Sequence, residues 1–150
     1  LSRFSFSTSI HHGTGGLEVD EAQAAELFLR AANQNFPEAQ MILSHLYEEG
    51  RGVERDLEKA AFWEKQALDN GDEEAAYLYG LRLYEEGDED NGIRNLTFAA
   101  DQKYSLAADK LGDIFRDQEK FEKARFWYEQ ALENEDLIAE DIQKKIDALP

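Results

Sequence analysis

The chain has 150 residues, of which 42% are apolar, 11% aromatic and 33% charged, enough for one domain with a real core and too apolar for a disordered chain. Its 33 acids against 16 lysines and arginines give a formal charge of −17, which disfavours direct contact with nucleic-acid phosphates or anionic lipid and favours basic partners. The absence of cysteine excludes disulfides, thiol nucleophiles and zinc–thiolate sites, and no stretch approaches the roughly 20 apolar residues of a membrane helix.

Residues 1–17, LSRFSFSTSIHHGTGGL, contain no acid, and the charge pattern changes at Glu18. They read as an extended or disordered tail. Its hydroxyl-rich start around Arg3 resembles the end of a mitochondrial presequence, alongside the alternatives of a non-native remnant or an ordinary tail. The expected location is accordingly the mitochondrial matrix or the cytoplasm, in soluble form. Phe4, Phe6 and Ile10 alternate with Ser5, Ser7 and Ser9, a period-2 pattern able to lie extended against a partner. His11 and His12 lack a third ligand, so no metal site is expected there.

From Asp20 onward the spacing of apolar residues predicts helices. The first covers 20–35, with Ala24, Leu27 and Ala31 along one side. The second covers 37–50: Pro37 suits a first turn, and Ala39, Leu43, Leu46 and Tyr47 form one apolar face. The segment 51–56 breaks the pattern, and Asp56 is placed to cap a helix over 57–70. In that helix Ala60, Trp63 and Ala67 form the buried stripe, and Gly71 supplies the stop. Further helices are expected over 73–87, within 88–104 with Asp90 or Asn91 as cap, over 105–115 and over 121–134. A last one, 137–149, carries Ile138, Ile142, Ile146 and Leu149 on one side and caps the stack.

These elements repeat. Leu46–Gly50 spells Leu-Tyr-Glu-Glu-Gly and the same letters return at 83–87, as expected if each first helix ends by packing an aromatic and then turning. Lys59-Ala60, Trp63 and Ala67 return as Lys123-Ala124, Trp127 and Ala131. The units run over about 18–36 (partial), 37–71, 72–104 and 105–134. Small residues at the helix contacts and aromatics between them suit helix pairs that must stack on neighbours to bury their faces.

The set Ala39, Leu43-Ser44, Tyr47, Gly50, Gly52-Val53, Asp56, Lys59-Ala60, Trp63, Ala67 and Gly71 is similar to the Sel1-like repeat, including its Gly-x-Gly-Val turn. Leu111-Gly112, Phe115, Phe121, Ala124, Tyr128 and Ala131-Leu132 resemble a plain tetratricopeptide repeat. Gly80-Leu81 reverses the usual order and Gly92 replaces an alanine, which leaves the register over 76–100 open. The resemblance implies an all-α, right-handed α-solenoid of stacked antiparallel helix pairs over 18–150, with a C-terminal capping helix. It also implies a partner-binding groove on the concave face, lined by the first helices. Carried over by position, the groove comprises Glu38, Met41, His45 and Glu48, then Leu78, Arg82 and Glu85, then Asp109, Asp113 and Arg116.

Chemistry has few candidates. Histidine occurs at 11, 12 and 45; Ser44 and His45 are helix neighbours about 100° apart and make no nucleophile–base pair. Gly50-Arg51-Gly52 lacks the lysine and strand of a phosphate loop, and the acidic 85–92 segment fails the spacing of a calcium loop. Trp63 and Trp127 read as core. No catalytic residue, cofactor or metal is therefore expected. The function expected is a non-enzymatic adaptor or assembly factor that holds a basic or amphipathic segment of another protein. Two alternatives stand beside it: a structural subunit anchored by its tail or convex side, and an acidic inhibitor that blocks a cationic enzyme.

Overall fold

A computed structural model describes residues 14–133 and 139–150, and every regular element among them is helical. In chain order these are α1 (Thr14–Ala32), α2 (Pro37–Glu49), α3 (Leu57–Asp69), α4 (Glu73–Glu85), α5 (Glu89–Asp101), α6 (Ser105–Asp117), α7 (Phe121–Leu132) and α8 (Ala139–Asp147). The chain divides into two compact units, Leu1–Asp72 and Glu73–Pro150. α1 takes in residues 14–17, which composition assigned to the tail. Gly15 and Gly16 hid this, because glycine is a poor helix former, whereas an established helix extends cheaply from its docked part. Phe4, Phe6, Ile10, His11, His12 and Ile138 lie outside the described residues.

In the first unit α2 packs against both α1 and α3. Ala32, Ala39 and Leu43 form the buried centre, with Phe28, Leu46, Tyr47 and Trp63 packed around it. Gln40 is almost wholly buried and joins all three helices: its Nε2 donates to Ala32 O at 3.0 Å, and its Oε1 accepts from Asn70 Nδ2 at 2.9 Å. Ser44 Oγ donates to Ala60 O at 2.7 Å where α2 crosses α3. As expected, Asp56 caps α3, its Oδ1 accepting from the backbone N–H groups of Glu58 and Lys59 at 3.1 Å.

The turn between α2 and α3 shows why the Gly-x-Gly-Val pattern exists. Gly52 has φ +73°, and a Cβ there would strike the backbone carbonyl of Glu21 on α1. Only glycine lets this turn lie directly on the preceding helix. Arg51 reinforces the contact through an ion pair with Glu21 at 3.4 Å. One buried atom is left over: Asp20 Oδ2 has no hydrogen-bond partner among the described residues. With Ala24 and Ala31 matching Ala60 and Ala67, Asp20 stands where Asp56 stands in the next pair. α1, however, runs straight through it and offers no terminal N–H groups to cap.

In the second unit α4 pairs with α5, α6 with α7, and α8 lies against α7. The register left open by Gly80 and Gly92 is decided by close approach. A Cβ on Gly80 would lie 3.0 Å from Gly92 O, and one on Gly92 would lie 2.8 Å from Tyr84 N, so the two glycines let α4 and α5 cross backbone to backbone. α5 is capped by Asp88, through Asn91 N at 3.3 Å, rather than by Asp90 or Asn91, because the helix begins one residue before Asp90. The repeated pentapeptide is also corrected. The N-cap N–H of each second helix donates to the first helix: Asp56 N to Tyr47 O, Asp88 N to Leu83 O and Lys120 N to Phe115 O, at 2.8–2.9 Å. Tyr47, Leu83 and Phe115 are therefore equivalent, and Tyr84 lies one position beyond. The two copies share letters while sitting one residue out of register, so a common packing role for the tyrosines does not hold.

The expected final helix forms as α8, with Ile142, Ile146 and Leu149 buried. At nine residues it is too short to persist alone and depends on docking.

Candidate partner-binding surfaces

On α2, Glu38 and Glu48 are exposed and His45 is half-buried. Met41 is not available to a partner: it is 3% exposed and belongs to the interior. The next residue, Ile42, is 38% exposed and supplies the apolar side chain of that stripe. A helix advances about 100° per residue, so a one-residue misjudgement exchanges an inward for an outward side chain.

On α4, Leu78 is half-buried, while Arg82 and Glu85 are exposed. The Arg82 guanidinium lies 6.0 Å from the Tyr79 ring centre. α2 ends in the acid pair Glu48-Glu49, and α4 ends at Glu85 with Glu86 directly after it, all four exposed. Carboxylates at a helix C-terminus oppose the helix dipole, at about 0.3–1 kcal/mol each; of these four, Glu49 lies 3.9 Å from Arg51 Nη1, an exposed ion pair that offsets part of that cost.

On α6, Asp109, Asp113 and Arg116 do come together, but around a residue of their own chain. Lys145 of α8 places its Nζ 2.8 Å from Asp109 Oδ1 and 3.1 Å from Asp113 Oδ1. Tyr128 Oη donates to Asp113 Oδ1 at 2.6 Å, and Arg116 lies 3.5 Å from the same oxygen. Lys145 also sits 5.7 Å from the Tyr128 ring centre. Burial works to lower the Lys145 pKa, and the two aspartates outweigh it, holding the ammonium above the usual lysine range. Burial first, and then the Asp113 carboxylate, pushes the Tyr128 phenol up. Lys145 was absent from the sequence-derived groove, yet a signal existed: on a helical wheel it lies about 60° from Ile142, on the buried face of α8. A lysine placed there requires an acidic partner.

The aromatic faces at the helix turns are likewise filled from within. Lys59 lies 5.4 Å from the Tyr47 ring centre, beside a cleft of about 360 Å³ that also includes Val53 and Arg55. Lys123 lies 5.4 Å from the equivalent Phe115, and Lys120 at 5.9 Å. On the second helices, Phe62 and Phe126 are both about half exposed. Each meets its neighbouring tryptophan edge-on at 5.0 Å and 83°, the same geometry in two repeats. Among the described residues no group of three histidines or acids converges to hold a metal ion. No described helix is long and apolar enough to cross a membrane.

The repeat register observed in the helices coincides with a family pattern. The Sel1 repeat matches residues 9–36, 37–72, 73–104 and 104–136. The chain belongs to the Sel1 repeat family. The first Sel1 repeat thus begins at residue 9, ahead of the partial unit read from 18. The Sel1 match is reflected in solved structures. A Sel1 repeat protein from Oxalobacter formigenes is similar over 95% of this chain and 44% of its own, with a TM-score of 0.71 and 27% identity. A protective antigen of uropathogenic Escherichia coli with an SLR fold is similar over 81% of this chain and 28% of its own, with a TM-score of 0.64 and 28% identity. The fold is an all-α solenoid of antiparallel helix pairs closed by a short C-terminal helix. Among curated proteins, the chitin synthase regulator SKT5 of Saccharomyces cerevisiae is 43% identical over 58 residues, 39% of this chain and 8% of the regulator. An exopolysaccharide production negative regulator of Rhizobium leguminosarum bv. viciae is 31% identical over 94 residues, 61% of this chain and 35% of that protein. The chain therefore spans about a third or less of the curated relatives it matches.

Proposed function

We propose that this chain is a non-enzymatic protein–protein interaction module, acting as an adaptor or assembly factor that holds a basic or amphipathic segment of another protein on the face of its first helices. Sel1 membership and relatives named as regulators support an interaction role. The observation that carries the basic partner is the pair of exposed Glu-Glu ends on α2 and α4, carboxylates gathered at the unfavourable end of each helix dipole. Ile42 on α2 and Leu78 on α4 each supply apolar surface on the helix that carries the acid pair, so the reading needs a segment with lysines at one end and aliphatic side chains along one stripe.

The test is fluorescence anisotropy of a labelled lysine–leucine amphipathic peptide with the whole chain at two salt concentrations. Glu48→Lys/Glu49→Lys and Glu85→Lys/Glu86→Lys are each expected to weaken binding at least tenfold while the helical circular-dichroism signal is retained. Charge reversals that keep the fold and leave binding unchanged overturn the proposal. A second reading, a structural subunit anchored through its second helices, is favoured by the equivalent exposure of Phe62 and Phe126. It requires Phe62→Ser/Phe126→Ser to abolish assembly into a larger complex while peptide binding persists.

A further inference from the structure

We infer that α8 is an intramolecular occupant of an acidic helix-binding site on α6 and α7, and that the partner which replaces it is a helix carrying the same side-chain pattern, Ile-x-x-Lys-Ile-x-x-Leu. The inference deepens the reading of the chain as a binder of basic amphipathic segments and rests on it.

Three observations lead here. First, α8 has the two properties demanded of the partner: an apolar stripe, Ile142, Ile146 and Leu149, and a lysine on that stripe's flank. Second, its lysine is seated in the acidic pair that the repeat resemblance implies for partner binding, with Nζ held by Asp109 and Asp113 together. Third, the receptor is organised around that cation from the far side. The Tyr128 ring lies beneath the ammonium, and its hydroxyl fixes Asp113 at 2.6 Å. Two carboxylates with a single aromatic floor form a socket for one ammonium group.

A segment tethered to its own site competes with any added ligand at an effective concentration in the millimolar range. α8 therefore sets a threshold: an outside helix must outcompete it, and weak lysine-bearing segments are refused. Being nine residues long, α8 has no independent helical stability, so its release is coupled to loss of its own structure.

The experiment uses the whole chain with Lys145→Glu, which repels α8 from the aspartates, and a labelled peptide of the sequence AEDIQKKIDALP, residues 139–150. Hydrogen exchange reads α8 and the rest of the molecule separately. The expected result is fast exchange over α8 with protection retained over α2–α7, together with peptide binding at least tenfold tighter than to the wild-type chain. Adding Asp109→Asn/Asp113→Asn to the Lys145→Glu chain should abolish that gain. Unchanged α8 protection, or loss of protection throughout, would make α8 an integral part of the fold and overturn the inference. Release of α8 without peptide entry would show that no receptor lies beneath it and also overturn it. A wild-type chain that sediments as a dimer would assign the socket to a second copy, against the heterologous partner inferred here. The amphipathic-peptide assay at the α2 and α4 ends fails or succeeds independently, so the two readings fall separately.

Discussion

Gly112→Ala isolates the packing logic of the repeat. In a bare helix the change would stabilise by about 1 kcal/mol, because alanine restricts the unfolded chain and glycine does not. Here the new Cβ would fall on the Tyr128 ring, against Cδ1, Cε1 and Cγ. The ring is fully buried and its hydroxyl is tied to Asp113 at 2.6 Å, so it has nowhere to swing. Overpacking against a fixed neighbour costs about 3 kcal/mol, the upper part of the usual range. The net effect is a loss of about 2 kcal/mol, and the steric term wins. For a chain of this length that lowers the thermal midpoint by about 4–8 °C. Far-UV circular dichroism in heat and urea measures it, and a double-mutant cycle with Tyr128→Leu assigns it. Without the ring, Gly112→Ala should be neutral or stabilising, giving a coupling of about 2–3 kcal/mol. A neutral Gly112→Ala in the wild-type background, or an equal loss with and without Tyr128, would refute the reasoning.

Two aspartates at equivalent positions should respond oppositely: Asp56→Ala loses about 1 kcal/mol with its cap, whereas Asp20→Ala gains about 1 kcal/mol by removing an unpartnered buried carboxylate oxygen, both read from urea midpoints. Gln40→Leu leaves the amide of Asn70, the C-cap of α3, and the Ala32 carbonyl without their buried partner and should cost about 1–3 kcal/mol, with Gln40→Glu no better because it cannot donate to Ala32 O. Stability should fall in alkali. Lys145 has its folded pKa raised, so its contribution is whole below the unfolded lysine value of about 10.4 and lost as pH rises through the folded value. Tyr128 acts in the same direction, since the unfolded phenol ionises near pH 10 while the folded one resists. Midpoints measured from pH 8 to 11 should fall less steeply in Lys145→Met/Tyr128→Phe than in the wild-type chain.

The fold class and most of its local devices were legible in the residue pattern. Apolar residues at three- and four-residue spacing produced the helices because side chains on one face must be buried together. Pro37, Asp56 and Gly71 acted as punctuation because their effects are local: a fixed φ, a side-chain acceptor, a permitted left-handed turn. What stayed hidden depended on distances between segments far apart in the chain. Gly52 is explained only by Glu21, Gly80 only by Gly92, and Gly112 only by Tyr128. The pentapeptide misled for the same reason, since identical letters were placed in different registers by the hydrogen bonds that the next helix makes. The candidate site divided along this line. The outward Glu38, Glu48 and Glu85 follow from helix periodicity, whereas the burial of Met41 and the seating of Lys145 between Asp109 and Asp113 do not. Periodicity states which residues share a face; only tertiary packing decides whether that face meets water, a neighbouring helix or a cation from 32 residues further along the chain.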